Sequence, residues 1–187
     1  MATTQKTPQK MDAIALLKAD HRAVEALFEK FENTSAKSQK EKIAQQICKE
    51  LIVHTIIEEE IFYPACKGAI EDDKLDEAYV EHDGAKTLIA EIMALSPDAE
   101  FYDAKVKVLS EEITHHVHEE EQRSEGMFAQ ARDAGLDMDA LGEQMAARKQ
   151  ELMEDIDANG LPTPETRTMQ GAPALNYGQP VDSIASA

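Results

Sequence analysis

The chain has 187 residues, 42% of them hydrophobic and 30% charged, which suits one globular domain with a sizeable core. Its formal net charge of −18 argues against nucleic acid or an anionic membrane as a partner, because phosphate binding needs clustered Lys and Arg. No apolar run approaches the length of a membrane span, and the opening MATTQKTPQK lacks the apolar core of a secretory signal, so a cytoplasmic location is expected.

Residues 1–10 read as a flexible N-terminus. Beyond them, apolar residues recur at spacings of three and four, and no alternating strand pattern interrupts them. A first helix is expected from Asp12, a plausible N-cap, to about Glu32, with the stripe Ile14, Leu17, His21, Val24, Phe28 and Phe31. The short Asn-Thr-Ser link implies that the next helix returns antiparallel. That second helix spans about Gln39 to Tyr63 through Ile43, Ile47, Leu51, His54, Glu58 and Ile61, before Pro64 and Gly68 kink or end it. It also carries Cys48 and Cys66, about 18 residues or roughly 27 Å apart along one axis, too far for a disulfide.

A third helix is expected from Lys74 to Leu95 through Leu75, Tyr79, His82, Ala85, Ile89 and Ile92. Ser96-Pro97-Asp98 offers an N-cap and a first-turn proline for a fourth, which carries Val106, Leu109, Ile113, His116 and Glu120 and runs to about Ala134, where Gly135 stops it. Residues 135–158 suggest an amphipathic helix with Leu141, Met145, Leu152 and Ile156 on one face, stable only if docked. Residues 159–187 hold four of the seven prolines without apolar periodicity and read as a flexible tail. The expected fold is all-α: an up-down-up-down four-helix bundle over residues 11–134 with an extra C-terminal helix.

Four histidines, His21, His54, His82 and His116, occupy core-facing slots, one per helix, and Glu58 and Glu120 follow two of them at a spacing of four. A single histidine on an apolar stripe is more often a hydrogen-bonded core residue. Four in consecutive helices, two with a glutamate in the same stripe, instead make a six-ligand set for a metal pair. Burying two ionised carboxylates costs several kcal/mol each without compensating cations. The N/O donors suit iron or manganese better than a thiolate-seeking metal. In the run His115-His116-Val117-His118-Glu119-Glu120-Glu121 the stripe through Ile113 favours His116 and Glu120, whereas the register of His115 and Glu119 runs back through the charged Glu112. Glu59, Glu60, Glu119 and Glu121 read as acidic surface, although any could accept the other N–H of a ligand histidine.

The segments LKADHRAVEALFEKFE, HTIIEEEIFYP, VEHDGAKTLIAEI and HHVHEEEQRSEGMFAQAR resemble the successive helices of bacterial hemerythrin-like proteins, the HHE cation-binding domain. The resemblance covers about residues 11–134. It implies a non-haem di-iron centre on His21, His54, Glu58, His82, His116 and Glu120. The family's roles are binding or sensing dioxygen, responding to oxidative or nitrosative stress, and delivering iron for repair. The expected partner is dioxygen or another small diatomic or peroxide ligand; a peroxide- or nitric-oxide-consuming enzyme and iron storage or donation are the alternatives.

Two departures from the family pattern stand out. Where oxygen-carrying members place a further histidine four residues after that of the third helix, this chain has Lys86, read either as a snorkelling surface lysine or as a cation near an open coordination position. QRSEGMFAQAR is lengthened by about three residues and has Ala129 for a usual proline, which predicts a bulge or a longer straight helix near Glu120. Tyr79, Met93 and Met127 read as packing residues.

Overall fold

The computed structural model describes residues 11–169 and, among them, contains helices and turns but no strand. Helix α1 (Ala13–Glu32) starts at Asp12, whose carboxylate accepts the Ala15 N–H at 2.7 Å and so satisfies one of the free donors of the first turn. Its buried stripe includes Ile14, Leu17, His21, Val24, Phe28 and Phe31, as the spacing predicts. Helix α2 (Lys37–Ile57) continues through a π-helical segment (Glu58–Phe62) into the short α3 (Tyr63–Cys66). Pro64 is tolerated because it falls in the first turn of α3, and Gly68 leaves the helical path at φ +74°.

Helices α4 (Asp72–Ala94) and α5 (Tyr102–Glu121) complete the bundle. Each main helix packs on its neighbours, α1 on α2, α2 on α4, α4 on α5 and α5 back on α1, which closes the four-helix ring. Helix α7 (Met138–Asn159) lies against α1, α2 and the π segment, and the Asp137 carboxylate caps it by accepting the Ala140 N–H. At Gly142 a Cβ would stand 2.6 Å from the Met11 carbonyl oxygen and 2.8 Å from the Asp12 carbonyl carbon, so only glycine lets α7 approach the start of α1 so closely. No helix among the described residues is long and apolar enough to cross a membrane.

The expected fourth helix divides differently. Ser96 to Phe101 form turns instead of a first helical turn, and α5 begins at Tyr102, whose ring is buried against Phe31 at 6.4 Å. The helix then stops at Glu121, and α6 (Met127–Asp133) follows after a tight turn. Gly126 makes that turn possible, since a Cβ there would lie 2.6 Å from the Glu120 carbonyl oxygen and from the Gln122 backbone. The lengthened segment is thus accommodated by a break in the helix, not by a bulge within it, and the π insertion lies in the second helix. Met127 is buried, but Met93 is 41% exposed and fills no core position.

Residues 160–169 form no regular secondary structure, yet the N–H groups of Arg167 and Thr168 and the Thr168 hydroxyl all donate to the buried Asp83 carboxylate. The expected flexible N-terminus (1–10) and the rest of the tail (170–187) lie outside the described residues.

Two apolar clusters hold the bundle. One gathers Val24, Phe28, Ile47, Leu51, Ile89 and Leu109; the other gathers Leu17, Ile57, Phe62, Leu75, Phe128 and Met145. Each fully buried Leu, Ile or Phe contributes about 1.5–3 kcal/mol, enough to force polar residues into the layer between the clusters. Cys48 and Cys66 are buried in one cluster each, and burial pushes both thiols up to about 12, so neither is a reactive thiolate.

Candidate metal centre

The polar layer consists of the side chains that the stripes placed on the inner face. His21, His54, Glu58, His82, His116 and Glu120 are all buried, none more than 5% exposed. They form two facing imidazole pairs. His21 and His54, from α1 and α2, have Nε2 atoms 3.1 Å apart, and His82 and His116, from α4 and α5, have theirs 3.2 Å apart. The two carboxylates span the pairs. Glu58 Oε2 lies 3.2 Å from His54 Nε2 and 3.4 Å from His82 Nε2; Glu120 reaches His21 Nε2 at 3.3 Å and His116 Nε2 at 3.6 Å. The donor atoms therefore fall into two groups with Glu58 in common, His21, His54, Glu58 and Glu120 in one, and Glu58, His82 and His116 in the other.

Carboxylates on the outer side of the rings orient them. His82 Nδ1 meets Glu59 at 2.9 Å, His116 Nδ1 meets Glu81 at 2.7 Å, and His21 Nδ1 meets Glu121 at 2.8 Å. Asp20 faces His54 Nδ1 at 3.7 Å, an ion-pair separation, and is itself held by Lys149 of α7. An Nδ1–H donated to a carboxylate leaves the Nε2 lone pair free for a metal. Glu59 and Glu121, read from sequence as acidic surface, thus belong to the support of the site, while Glu60 does face outward and pairs with Arg148.

The π segment accounts for a residue that helical periodicity does not find. With the extra residue per turn, the Tyr63 N–H bonds to the Glu58 carbonyl, so Tyr63 stands above Glu58 where α-helical spacing would have put Phe62. Its hydroxyl lies 3.2 Å from His82 Nε2, 3.2 Å from Glu120 Oε1 and 3.4 Å from Glu58 Oε2. Its ring stacks on His82 at 5.3 Å. Burial, reinforced by the Glu58 and Glu120 charges, pushes this phenol well above its ordinary range and keeps it a proton donor. On the opposite side Phe128 stacks on His21 at 5.9 Å, a contact that exists because the chain breaks before α6.

The donor set fits a metal pair. Buried Glu58 Oε1, Glu120 Oε2 and His54 Nδ1 have no hydrogen-bond partner, and nitrogens that should each present a lone pair point at one another. Metal–imidazole bonds of about 2.1 Å meeting near a right angle would hold two nitrogens about 3.0 Å apart, close to both separations. Without metal, protons take that place. Burial opposes a charged His54, but the Glu58 carboxylate and Asp20 outweigh it and push the imidazole up to about 10. Burial likewise opposes a charged His116, which Glu120 and Glu81 raise to about 9. Burial would raise Glu58; His54 and His82 instead hold it well below the usual carboxylate range.

Among the competing residues of α5, His115 has a side chain 62% exposed and faces Glu81 and Glu119, and His118 is exposed. Lys86 is not a snorkelling surface lysine. It is 5% exposed, and its Nζ donates to both oxygens of Glu59 at 2.7 and 2.9 Å, which places its charge behind His82 and away from the inner nitrogens.

The hemerythrin HHE cation-binding domain model matches residues 12–131. The chain belongs to this family. Within that HHE span lie all four inward histidines, both inward glutamates and Tyr63. A crystal structure of an HHE cation-binding domain-containing protein from Mycobacterium kansasii superposes with a TM-score of 0.66 at 18% identity, over 81% of this chain and 95% of that one. A protein of Nostoc sp. (strain PCC 7120 / SAG 25.82 / UTEX 2576) named DNA nickase is 29% identical over 113 residues, 60% of this chain. The match spans about a third (32%) of that relative's length.

A cavity on the outer side of Tyr63 stops short of the six inward donors, none of which lines it. Its volume is about 830 Å³, and its walls include Tyr63, Leu75, Tyr79, Lys67 and, from the segment after α7, Arg167 and Thr168. Arg167 lies over the Tyr79 ring at 4.4 Å, and Tyr79 meets Tyr63 edge-on at 5.3 Å.

Proposed function

We propose that His21, His54, Glu58, His82, His116 and Glu120 hold a non-haem di-iron centre, and that this centre binds or senses dioxygen or a related small molecule in an oxidative or nitrosative stress response. The observation that carries the reading is the pair of facing imidazole couples, 3.1 and 3.2 Å apart, with two buried carboxylates spanning them. Iron, when bound, supplies electrons and a Lewis-acidic position for a small ligand. The chain's own residues do the rest. Glu59, Glu81 and Glu121 fix the rings through Nδ1. Phe62 and Phe128 exclude water, and the Tyr63 hydroxyl offers a proton or hydrogen bond between the metal layer and the cavity.

A second reading, consumption of peroxide or nitric oxide at the same centre, is favoured by that phenol and by the cavity on its outer face, since turnover needs a donor and an exit. Strand nicking does not follow from the Nostoc relative, because the match spans 32% of that protein and a net charge of −18 opposes a phosphate backbone.

Protein purified without added metal should carry two irons per chain, and the anaerobic ferrous form should develop a reversible charge-transfer band on exposure to dioxygen. Less than one iron, or stoichiometric zinc alone, would overturn the di-iron centre. Immediate irreversible oxidation would overturn binding or sensing, and steady peroxide turnover abolished in His54→Ala would select the enzymatic reading.

A further inference from the structure

The buried centre has no solvated ligand, so an ion must shed its water before reaching it. That is costly unless protein donors replace the waters stepwise. Just outside His116, Glu81 of α4 and His115 and Glu119 of α5 converge: His115 Nε2 lies 3.4 Å from Glu81 Oε1 and 3.4 Å from Glu119 Oε1. These separations exceed the about 2.7–2.9 Å of a charge-assisted hydrogen bond. Two ligand atoms on metal–ligand bonds of about 2.1 Å stand about 3.0–3.4 Å apart at ligand–metal–ligand angles of about 90–110°, so both separations leave room for an ion between the donors. The three donor atoms form a group able to hold one ion.

Glu81 joins this group to the centre, because its other oxygen accepts from His116 Nδ1 at 2.7 Å. A crevice between α4 and α5 supplies the path. It is lined by the station residues Glu81 and Glu119 and by the centre residues His116 and Glu120, and its volume of about 20 Å³ admits one water-sized guest. Glu120, 2% exposed, is part of that lining and so joins the crevice to the centre, where its Oε2 faces His21 Nε2 at 3.3 Å. Glu77 adds negative charge at the crevice, against the single cation Lys74. Glu112 is raised by burial and then by the charge of Glu81, in keeping with a locally negative field.

We propose that Glu81, His115 and Glu119 form a loading station for a divalent first-row metal ion, and that the crevice past Glu119 and Glu120 carries the ion to the buried centre. The proposal rests on the metal-centre reading above. The station's imidazole and two carboxylates replace the waters of an aquated ferrous or manganous ion, and the crevice then passes it partly dehydrated to Glu120 and His116.

The test uses the full chain stripped of metal. Substoichiometric Mn²⁺ should broaden the His115 imidazole proton resonances, in wild type and in His54→Ala alike, because α4 and α5 alone build the station. Anaerobic Fe²⁺ uptake, followed by stopped flow, should be at least about tenfold slower in the His115→Ala/Glu119→Gln double variant, with the same final iron content. Both side chains are at least partly solvated, so the variant should fold normally. Absence of His115 broadening, or uptake as fast in the double variant as in wild type with normal iron content, would overturn the station while leaving the centre intact. Uptake that His54→Ala fails to diminish would overturn the centre and the route with it.

Discussion

Helix α5 carries the same chemical unit twice, one residue out of step. His116 with Glu120 points inward, both nearly sealed from solvent; His115 with Glu119 points out from the bundle, its imidazole 62% exposed. One residue of offset is about 100° of rotation on an α-helix, enough to exchange the interior for the surface. The inner pair sits among donors from three other helices, α1, α2 and α4, and its imidazole is locked through Nδ1 by Glu81. The outer pair shares Glu81 but has water to compete with it. On the reading proposed above, identical side chains would serve as permanent ligands or as a transient stop, and what separates them is burial and the number of oriented neighbours.

The largest expected effect breaks the inner unit. Glu58→Ala removes the carboxylate common to both donor groups, so iron content should fall from two per chain to below one, measured by metal analysis. His116→Ala should weaken metal affinity by about 100-fold or more, against little change for His115→Ala, in equilibrium competition with a chelator.

Proton competition sharpens the same contrast. In the metal-free protein His54 and His116 are raised to about 10 and 9. The stability that their charged forms lend the apo fold is present in full below about 6.5 and is lost as pH rises through 9 and 10. Metal binding at neutral pH must therefore release protons and should tighten as pH rises toward 9. Calorimetry in buffers of different ionisation enthalpy reads the proton release directly, and pH-independent binding would contradict it.

Smaller effects probe the supports. Gly142→Ala forces a Cβ into the backbone at Met11 and Asp12 and should destabilise the fold by about 1–3 kcal/mol in chemical denaturation. Glu59→Gln weakens the hold on His82 and leaves the buried Lys86 with Asp83, 3.7 Å away, as its charged partner, and should cost about tenfold in metal affinity. The smallest effect is at the outer pair, where His115→Ala should change stability by no more than about 0.5 kcal/mol.

The inward histidines were legible because each stands in a stripe of period 3.6 whose other members are apolar, and the preference for His116 over His115 followed from Ile113 preceding the one and Glu112 the other. Tyr63 was not legible, because the π insertion shifts the register just where periodicity would be extrapolated. Lys86 reads as a surface lysine until Glu59, 27 residues away, is brought against it. The turn before α6 depends on Gly126 meeting the Glu120 carbonyl, a close approach that a helical pattern does not announce.

By itself the sequence determined what local physics decides: where helices form, which face each buries, and that this face carries four imidazoles and two carboxylates. The tertiary structure alone decided which imidazoles face each other, which carboxylate steadies each ring, and which phenol and phenyl rings close the site. His21 meets Glu121 across 100 positions and His116 meets Glu81 across 35. Such partners are set by the crossing of helices, and any acidic residue on a charged surface looks alike until a neighbouring helix selects one.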